Sequence, residues 1–256
     1  MLDAKQRETL ETAAKLRVTD IRDGMDWVGL HHVGSLPPEF RPLYPARAVG
    51  FARTARHLPT QQSVPTMSPE DYTKWAYDYW YGKVFASDFY NVVEEGSFLV
   101  VDTSGKETPA VGSMISMVWA SRGARGAVTN GGVRDTDEIV TQAALPVWSR
   151  SVVQPMYQGR VEWGGHSMPV ALGGQRINPD DLVVADHDGV IIVPQAVIDD
   201  VLTYAIQEAE NDRRTRRMLF EHLGLAQDDS CKSLFDTGPH PRAMTEDKLR
   251  RMTGRP

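Results

Sequence analysis

Short apolar runs bounded by glycine and aspartate recur between residues 97 and 194 of this 256-residue chain, and they limit its possible folds more than any other feature of the sequence. The runs SFLVVD (97–102) and GAVTNGG (126–132) are too short for helices and are typical of buried strands, with the helical pattern GSMISMVWASRG between them. The runs DLVVA and GVIIVP flank DHDG, which suits a tight hairpin with Gly189 at positive φ. The pattern predicts an α/β fold.

Further elements are predicted on both sides of this region. The segment to about Leu16 is typical of an amphipathic helix, and VTDIRDGMD of a second helix with Thr19 as its N-cap. The alternation in ARAVGFART (46–54) predicts a strand, and a long helix is expected at about 196–220. Beyond Gly224 the polar, proline-containing sequence predicts an extended or partly disordered arm.

An aromatic-rich segment near residues 68–90 begins with a clear helix start, Ser68 as N-cap and Pro69 in the first turn. Four aromatic side chains recur at helical spacing: Tyr72, Trp75, Tyr79 and Trp80. They could form a packing face, as aromatic residues at helical spacing usually do, or a wall or lid over a pocket. The pattern leaves both interpretations open. We expect one domain over residues 1–224 that includes this segment, and an arm over 225–256.

Composition limits the classes of function. With 28 basic and 34 acidic residues, the net charge of −6 argues against a nucleic-acid-binding or membrane-surface protein, because such surfaces need clustered Lys and Arg. Cys231 is the only cysteine, which excludes an internal disulfide and fits a reducing compartment. The sequence shows no signal-peptide pattern and no run of 18 apolar residues, so we expect a cytoplasmic protein.

The helix that begins near Gly112 is a candidate anion site. Ser113 is a residue type favoured at the N-cap, and the backbone amides of Met114 and Ile115 then point free from the helix N-terminus. Unsatisfied donors and the positive end of the helix dipole attract anions. In a β-α-β arrangement the end of the strand GAVTN lies near this helix N-terminus.

The sequence GGVRD follows that strand. We expect Gly131 and Gly132 to allow a sharp turn and the close approach of a ligand. Arg134 could bind a carboxylate with a forked pair of hydrogen bonds, and Asp135 could hold a hard cation such as Mg²⁺. On residue types alone, the alternative is that Arg134 and Asp135 form a surface ion pair.

Four segments, VVDTSG, GSMISMVWASRGARGAVTNGGVRD, LPVWSRSV and PVALGGQRINPDDLVVADHDGVIIVP, occur in an order that resembles the RraA-like proteins. Their enzymatic branch comprises the 4-hydroxy-4-methyl-2-oxoglutarate (HMG/CHA) aldolases. The resemblance covers roughly residues 18–209 and is most specific at GGVRD and VVADHDGVIIVP. It implies a single-domain α/β/β swivelling-type fold, with mixed sheets flanked by helices, and a homotrimer or homohexamer.

The resemblance implies a metal-dependent class II pyruvate aldolase with oxaloacetate decarboxylase activity. Such an enzyme cleaves a small 2-oxo acid through an enolate that Mg²⁺ (or Mn²⁺) stabilises. By matching position, Asp135 binds the metal and Arg134 grips the substrate carboxylate. The helix start, comprising Gly112, Ser113, Met114 and Ile115, supplies backbone amides to the same carboxylate.

One position departs from the aldolase pattern. Where the family has an acidic residue ahead of the Arg-Asp pair, this chain has Ser113. The resemblance also implies a glutamate from a neighbouring subunit, for which Glu208 and Glu210 are both candidates. Two alternatives therefore stay open: a non-catalytic RraA-like regulator that binds a protein partner such as a ribonuclease, or a divergent enzyme acting on a different carboxylate.

Overall fold

A mixed nine-stranded sheet forms the centre of the structure, a computed structural model that describes residues 2–254. Its strands are β1 (Arg41–Pro42), β2 (Ala48–Pro59), β3 (Ser97–Asp102), β4 (Pro109–Val111), β5 (Gly126–Val133), β6 (Val147–Val152), β7 (Val161–His166), β10 (Leu182–Asp186) and β11 (Gly189–Val193). Strands β8 (Val170–Leu172) and β9 (Gln175–Ile177) form a separate two-stranded sheet. The predicted α/β class is confirmed.

The parallel strands set the position of the functional site. The sheet order is β1-β6-β5-β3-β2-β10-β11, with β4 beside β5 and β7 beside β2. Strands β2, β3, β5 and β6 run parallel to one another, and β4 runs parallel to β5. Because parallel strands end at the same edge of a sheet, the residues that follow β4 and β5 meet there.

The described residues form seven α-helices. They are α1 (Ala4–Ala13), α2 (Val18–Trp27), α3 (Pro69–Trp75), α4 (Ser113–Ser121), α5 (Thr136–Gln142), α6 (Ile198–Leu223) and α7 (Glu246–Thr253). A π-helical segment, Ala76–Val84, continues α3. In the described part of the chain, no helix combines the length and apolar character needed to cross a membrane.

Helices α1, α2 and α6 bury one apolar layer against β2, β10 and β11. The approach of α2 to α6 is close because Gly24 has no side chain: a Cβ there would lie 2.4 Å from the carbonyl oxygen of Val201. A second layer lies around Phe98 and Trp148, and a third lies under α4 and α5. These layers bury the apolar runs of the sequence, which is the dominant stabilising contribution.

Local signals in the sequence have mixed outcomes. Ser68 caps α3 by accepting a hydrogen bond from the Asp71 amide, and Gly189 has φ +136°, so both predictions are confirmed. The prediction for Thr19 is wrong, since α2 begins at Val18 and Arg17 takes the N-cap position. There the Asp20 side chain, at the third helical position, accepts a hydrogen bond from the amide of the N-cap residue Arg17.

The C-terminal segment packs against α6 through a buried carboxylate. Glu210, only 1% exposed, accepts hydrogen bonds from the Ser233 hydroxyl (2.6 Å) and from the amides of Leu234 (2.8 Å) and Phe235 (3.2 Å). Arg214 donates to the Gly238 carbonyl. The segment beyond Gly224 therefore has specific contacts with the core and a helix of its own.

Candidate active site

The strand-helix-strand unit β4-α4-β5 brings the predicted site residues together. Val111, the last residue of β4, lies opposite Val133, the last residue of β5. The amide of Arg134 donates to the Val111 carbonyl (3.0 Å), which ties the chain leaving β5 to the chain entering α4. The N-terminus of α4 and the Arg134–Asp135 pair thus lie side by side.

Arg134 and Asp135 form an ion pair at the surface of this edge. The Arg134 Nε donates to Asp135 Oδ1 at 3.0 Å, and about a third of each side chain is exposed. Asp135 has a left-handed backbone (φ +56°), unusual for a residue other than glycine, and immediately precedes α5. This conformation turns the chain so that the carboxylate faces α4, where solvent and ligands have access.

The second oxygen of Asp135 faces the start of α4. Asp135 Oδ2 accepts a hydrogen bond from the Ser113 amide at 3.3 Å. Gly112 makes this contact possible, because a Cβ at that position would lie 2.8 Å from the same oxygen. Gly112, and not Ser113, is the N-cap of α4, so the expected N-cap position of Ser113 is wrong.

The next two amides of α4, those of Met114 and Ile115, belong to the first helical turn and have no intrahelical acceptor. The Met114 side chain is exposed, whereas Ile115 packs against the apolar layer under α4. The structure therefore brings together all six predicted positions: Gly112, Ser113, Met114, Ile115, Arg134 and Asp135.

Gly131 and Gly132 act differently from the expectation. Both lie within β5, buried, and neither has a positive φ. A Cβ on Gly131 would lie 2.5 Å from the Thr103 side chain, and one on Gly132 would lie 2.3 Å from that of Val153. These glycines therefore permit close packing inside the protein, and the position that leaves space beside the carboxylate is Gly112.

Two tyrosines lie near the ion pair. The Tyr157 hydroxyl lies 3.5 Å from the Ala110 carbonyl, and Tyr81 donates to the Gln158 side chain. Burial raises the pKa of each phenol above its ordinary value, and the charge of Arg134 opposes that rise in both. Sequence reasoning missed Tyr157, since nothing in its local sequence marks it; Tyr81 belongs to the aromatic segment that was interpreted as a packing face or a wall.

The donor set at this edge fits a hydrated Mg²⁺ better than a closed protein cage. Among residues 2–254, no group of three or more His, Cys, Asp or Glu side chains is arranged to hold a metal ion. Mg²⁺ commonly keeps several waters and binds through one or two carboxylates together with oxygens of the substrate. Asp135 supplies one such carboxylate, which is partly exposed and lies against Gly112, where a side chain would crowd it.

The two candidate glutamates of α6 have partners within their own chain. Glu208 accepts hydrogen bonds from the Trp27 indole (2.7 Å) and from Arg242 (2.6 Å). Glu210 holds the C-terminal segment through the three hydrogen bonds described above. To complete a neighbour's site, either side chain would have to give up these contacts.

Fold and site together define an α/β protein in which the N-terminus of a helix lies beside an Arg-Asp pair. Residues 18–192 match the RraA-like family, described as Aldolase/RraA, and the chain belongs to this family. The resemblance inferred from the motifs is thereby confirmed.

Individual relatives match only part of the chain, at modest sequence identity. A protein of Ectopseudomonas mendocina, provisionally named a 4-hydroxy-4-methyl-2-oxoglutarate aldolase, is 36% identical over 104 residues, which cover 40% of this chain and 63% of the relative. Protein DlpA of Legionella pneumophila is 27% identical over 149 residues, which cover 57% of this chain and 24% of DlpA. The chain thus spans less than two thirds of the length of each of these relatives.

A solved structure supports the fold. Streptomyces coelicolor RraAS2, described as an unusual member of the RNase ES inhibitor RraA protein family, superposes with a TM-score of 0.66 at 23% identity. The superposition covers 84% of this chain and 97% of RraAS2. The similarity extends the family match from sequence to architecture.

Proposed function

We propose that this chain is a divalent-metal-dependent carbon–carbon lyase, of the class II pyruvate aldolase and oxaloacetate decarboxylase type, acting on a small 2-oxo acid. The observation that carries the proposal is the convergence of Arg134, Asp135 and the first turn of α4 at one accessible edge of the sheet. The aldolase name of the relative from Ectopseudomonas mendocina supports it.

Arg134 and α4 would bind the substrate carboxylate. The Nε of Arg134 is engaged by Asp135, so its two terminal amino groups are the ones that would grip the carboxylate in a forked geometry. The amides of Met114 and Ile115 would donate to the same group from the helix side. The substrate would then be fixed at one end, with its 2-oxo group beside Asp135.

Asp135 would hold the cation, Mg²⁺ or Mn²⁺. Bound there, the cation supplies Lewis-acid polarisation of the 2-oxo group, which makes loss of a substituent or a proton from the adjacent carbon easier. Ser113 contributes no charge at the position where the family has an acidic residue. The site is therefore more positive than its acidic counterpart, and this favours binding of the substrate carboxylate.

We propose a homotrimer or homohexamer. Three apolar side chains of α4 and one of α5 are exposed: Met114, Met117, Val118 and Val140. Such a patch beside a site is typical of a surface covered by a partner. Sedimentation equilibrium of the purified protein tests the assembly directly, and a monomer at the concentrations used for activity would contradict it.

The deciding experiment is proton NMR of pyruvate in D₂O, with Mg²⁺ or with a chelator, following exchange of the methyl protons. We expect metal-dependent exchange that falls about 100-fold or more in Arg134→Ala and in Asp135→Ala. Arg150→Ala, which removes an exposed arginine from β6, is the matched control. Absence of exchange at high protein concentration would overturn the proposal.

The second candidate is a non-catalytic regulator that binds a protein partner such as a ribonuclease. Ser113, in place of the family's acidic residue, is the observation that favours it. A stoichiometric protein partner, together with no binding of pyruvate or Mg²⁺, would support this candidate. Metal binding together with turnover of another carboxylate, but not of pyruvate derivatives, would indicate a divergent enzyme.

A further inference from the structure

A largely apolar cavity of about 190 Å³ adjoins the candidate active site. Its wall is mainly aromatic, with Phe85 and Phe89 from the segment after α3, Trp119 from α4, and Tyr157. Phe85 and Tyr157 stack with their ring centres 4.3 Å apart. Since an apolar cavity of about 150 Å³ holds one benzene molecule, this one is large enough for a single substituted ring.

The cavity and the active site share a wall. Ile115, whose amide is a proposed carboxylate donor, also lines the cavity, and so does Ala110 of β4. The Tyr157 ring lines the cavity, while its hydroxyl lies 3.5 Å from the Ala110 carbonyl. The charges of Arg134 and Asp135 both act on the Tyr157 phenol. A ligand held at Arg134 therefore has this cavity as its neighbour.

Two ring nitrogens on residues that line the cavity lack partners. His57 Nδ1 and Trp119 Nε1 are buried and have no hydrogen-bond partner in the described part of the chain. Buried polar atoms without partners are rare in native proteins and call for an explanation such as a missing ligand or water. Burial lowers the pKa of His57 to about 3, so the imidazole is neutral and offers one donor and one acceptor.

We propose that this cavity binds the half of the substrate that leaves as an aldehyde, and that this half is an aromatic ring carrying an oxygen substituent. The ring packs against Phe85, Phe89 and Tyr157, and its oxygen pairs with His57 and Trp119. The inference rests on the proposed lyase function, and it assigns that lyase a substrate class: 4-aryl-4-hydroxy-2-oxobutanoates.

The reaction balances without a further reactant. The bond between C3 and C4 breaks, the C4 hydroxyl loses its proton as C4 becomes the carbonyl of an aromatic aldehyde, and C3 receives the electron pair. C3 then takes up one proton to give pyruvate. Nothing is oxidised or reduced overall, so the products are one aromatic aldehyde and one pyruvate.

Ring binding is tested apart from catalysis. Saturation-transfer NMR with 4-methylphenol and with toluene, on the 256-residue chain in the presence of a chelator, measures whether an aromatic ring binds. We expect 4-methylphenol to bind about tenfold more tightly than toluene, because a site with unpaired polar groups prefers a ligand that satisfies them. His57→Phe keeps a ring of similar size and should remove most of that preference.

A second variant fills the cavity. Ala110→Leu adds three carbons to its wall and should weaken binding of both probes by about tenfold or more. The control Ala171→Leu makes the same change on the exposed face of β8 and should leave binding intact. Circular dichroism verifies the fold of each variant, and His57→Phe remains informative if Ala110→Leu does not fold.

Turnover gives the last distinction. With Mg²⁺, 4-hydroxy-4-(4-hydroxyphenyl)-2-oxobutanoate should release pyruvate about tenfold faster than 4-hydroxy-2-oxopentanoate, whose leaving half is acetaldehyde, and Ala110→Leu should erase the difference. Exchange of pyruvate protons without ring binding would overturn this inference alone. Ring binding without exchange would overturn the proposed function, and with it the substrate class.

Discussion

The carboxylate of Asp135 accepts a hydrogen bond from the amide of Ser113, 22 positions earlier in the chain, at 3.3 Å. This contact joins the end of one parallel strand to the first residue of the helix that follows another. It fixes the proposed metal ligand relative to the proposed carboxylate-binding amides. The geometry of the site therefore depends on Gly112, whose missing side chain lets the start of α4 approach the Asp135 carboxylate.

Gly112→Ala should damage the site with little effect on the fold. The Gly112 backbone is extended (φ −129°), so alanine causes no backbone strain, but its Cβ would lie 2.8 Å from Asp135 Oδ2 and displace it. A shift of about 1 Å in a reacting group can cost about 100-fold in rate, so we expect pyruvate proton exchange to slow by about 10- to 100-fold. Gly238→Ala, where a Cβ meets nothing within 4 Å, is the control. Equal rates for both variants would contradict the role of Gly112.

Ser113→Asp should tighten Mg²⁺ binding. Ser113 is the first residue of α4, where a negative charge is favoured by the helix dipole, and its amide already contacts Asp135. Gain of a supporting carboxylate should lower the Mg²⁺ concentration for half-maximal exchange by about 10- to 100-fold. Ser113→Asn has a similar shape without the charge and should not do so. If Ser113→Asn tightens Mg²⁺ binding as much as Ser113→Asp does, the added charge is not the cause.

His57 should make the protein less stable in acid. Its pKa is about 3 in the folded protein against 6.5 unfolded, so between these values the unfolded chain binds more protons. The stabilising contribution of neutral His57 is complete above pH 6.5 and is lost as the pH falls toward 3. At about pH 5 the loss is about 2 kcal/mol.

Urea unfolding at about pH 7.5 and about pH 5 measures this contribution, with His57→Phe as the reference. The difference in unfolding free energy between the two pH values should be larger for the wild-type protein than for His57→Phe. Other groups that titrate in this range, including Asp181, whose pKa burial raises, are common to both proteins and cancel. Identical pH dependence would show that His57 does not titrate as described.

Glu210→Gln should destabilise the protein and spare the chemistry. The charged carboxylate accepts three hydrogen bonds from residues 233–235, and hydrogen bonds to charged groups contribute about 1.5–3 kcal/mol each. We expect faster amide hydrogen exchange across that segment and unchanged pyruvate exchange. Glu221→Gln, at an exposed position, is the control. Loss of pyruvate exchange with an intact fold would assign Glu210 to a neighbour's metal site.

Local sequence signals predicted the framework of the site well. The apolar runs, the Ser68 start and the Gly189 turn depend on nearest neighbours in the chain, and each was confirmed. The placement of Arg134 and Asp135 beside α4 followed from the rule that parallel strands end at one edge.

The predicted N-caps at Thr19 and Ser113 missed the helix starts by one or two residues, whereas the misses at Gly131, Gly132 and Tyr157 come from long-range packing. Gly131 and Gly132 are glycines because Thr103 and Val153, distant in sequence, occupy the space of their Cβ atoms. Tyr157 reaches the site only because the fold brings it to β4. The sequence left open whether the four aromatic residues at helical spacing pack or line a pocket. The structure supports packing at Trp80, which is fully buried, and the cavity wall is formed instead by Phe85 and Phe89, later in the same segment.

Strand β2 connects two regions of the protein, and this connection affects how the protein unfolds. Its 12 residues pair with β3, β10 and β7, so it contacts the helical layer at Phe51 and the aromatic cavity at His57. Because one strand belongs to both regions, unfolding of either one removes pairing partners from the other. We therefore expect cooperative unfolding, in which tryptophan fluorescence and helical circular dichroism change together. A small aromatic ligand bound in the cavity should raise the melting temperature measured for α6 by as much as the melting temperature measured at the cavity itself.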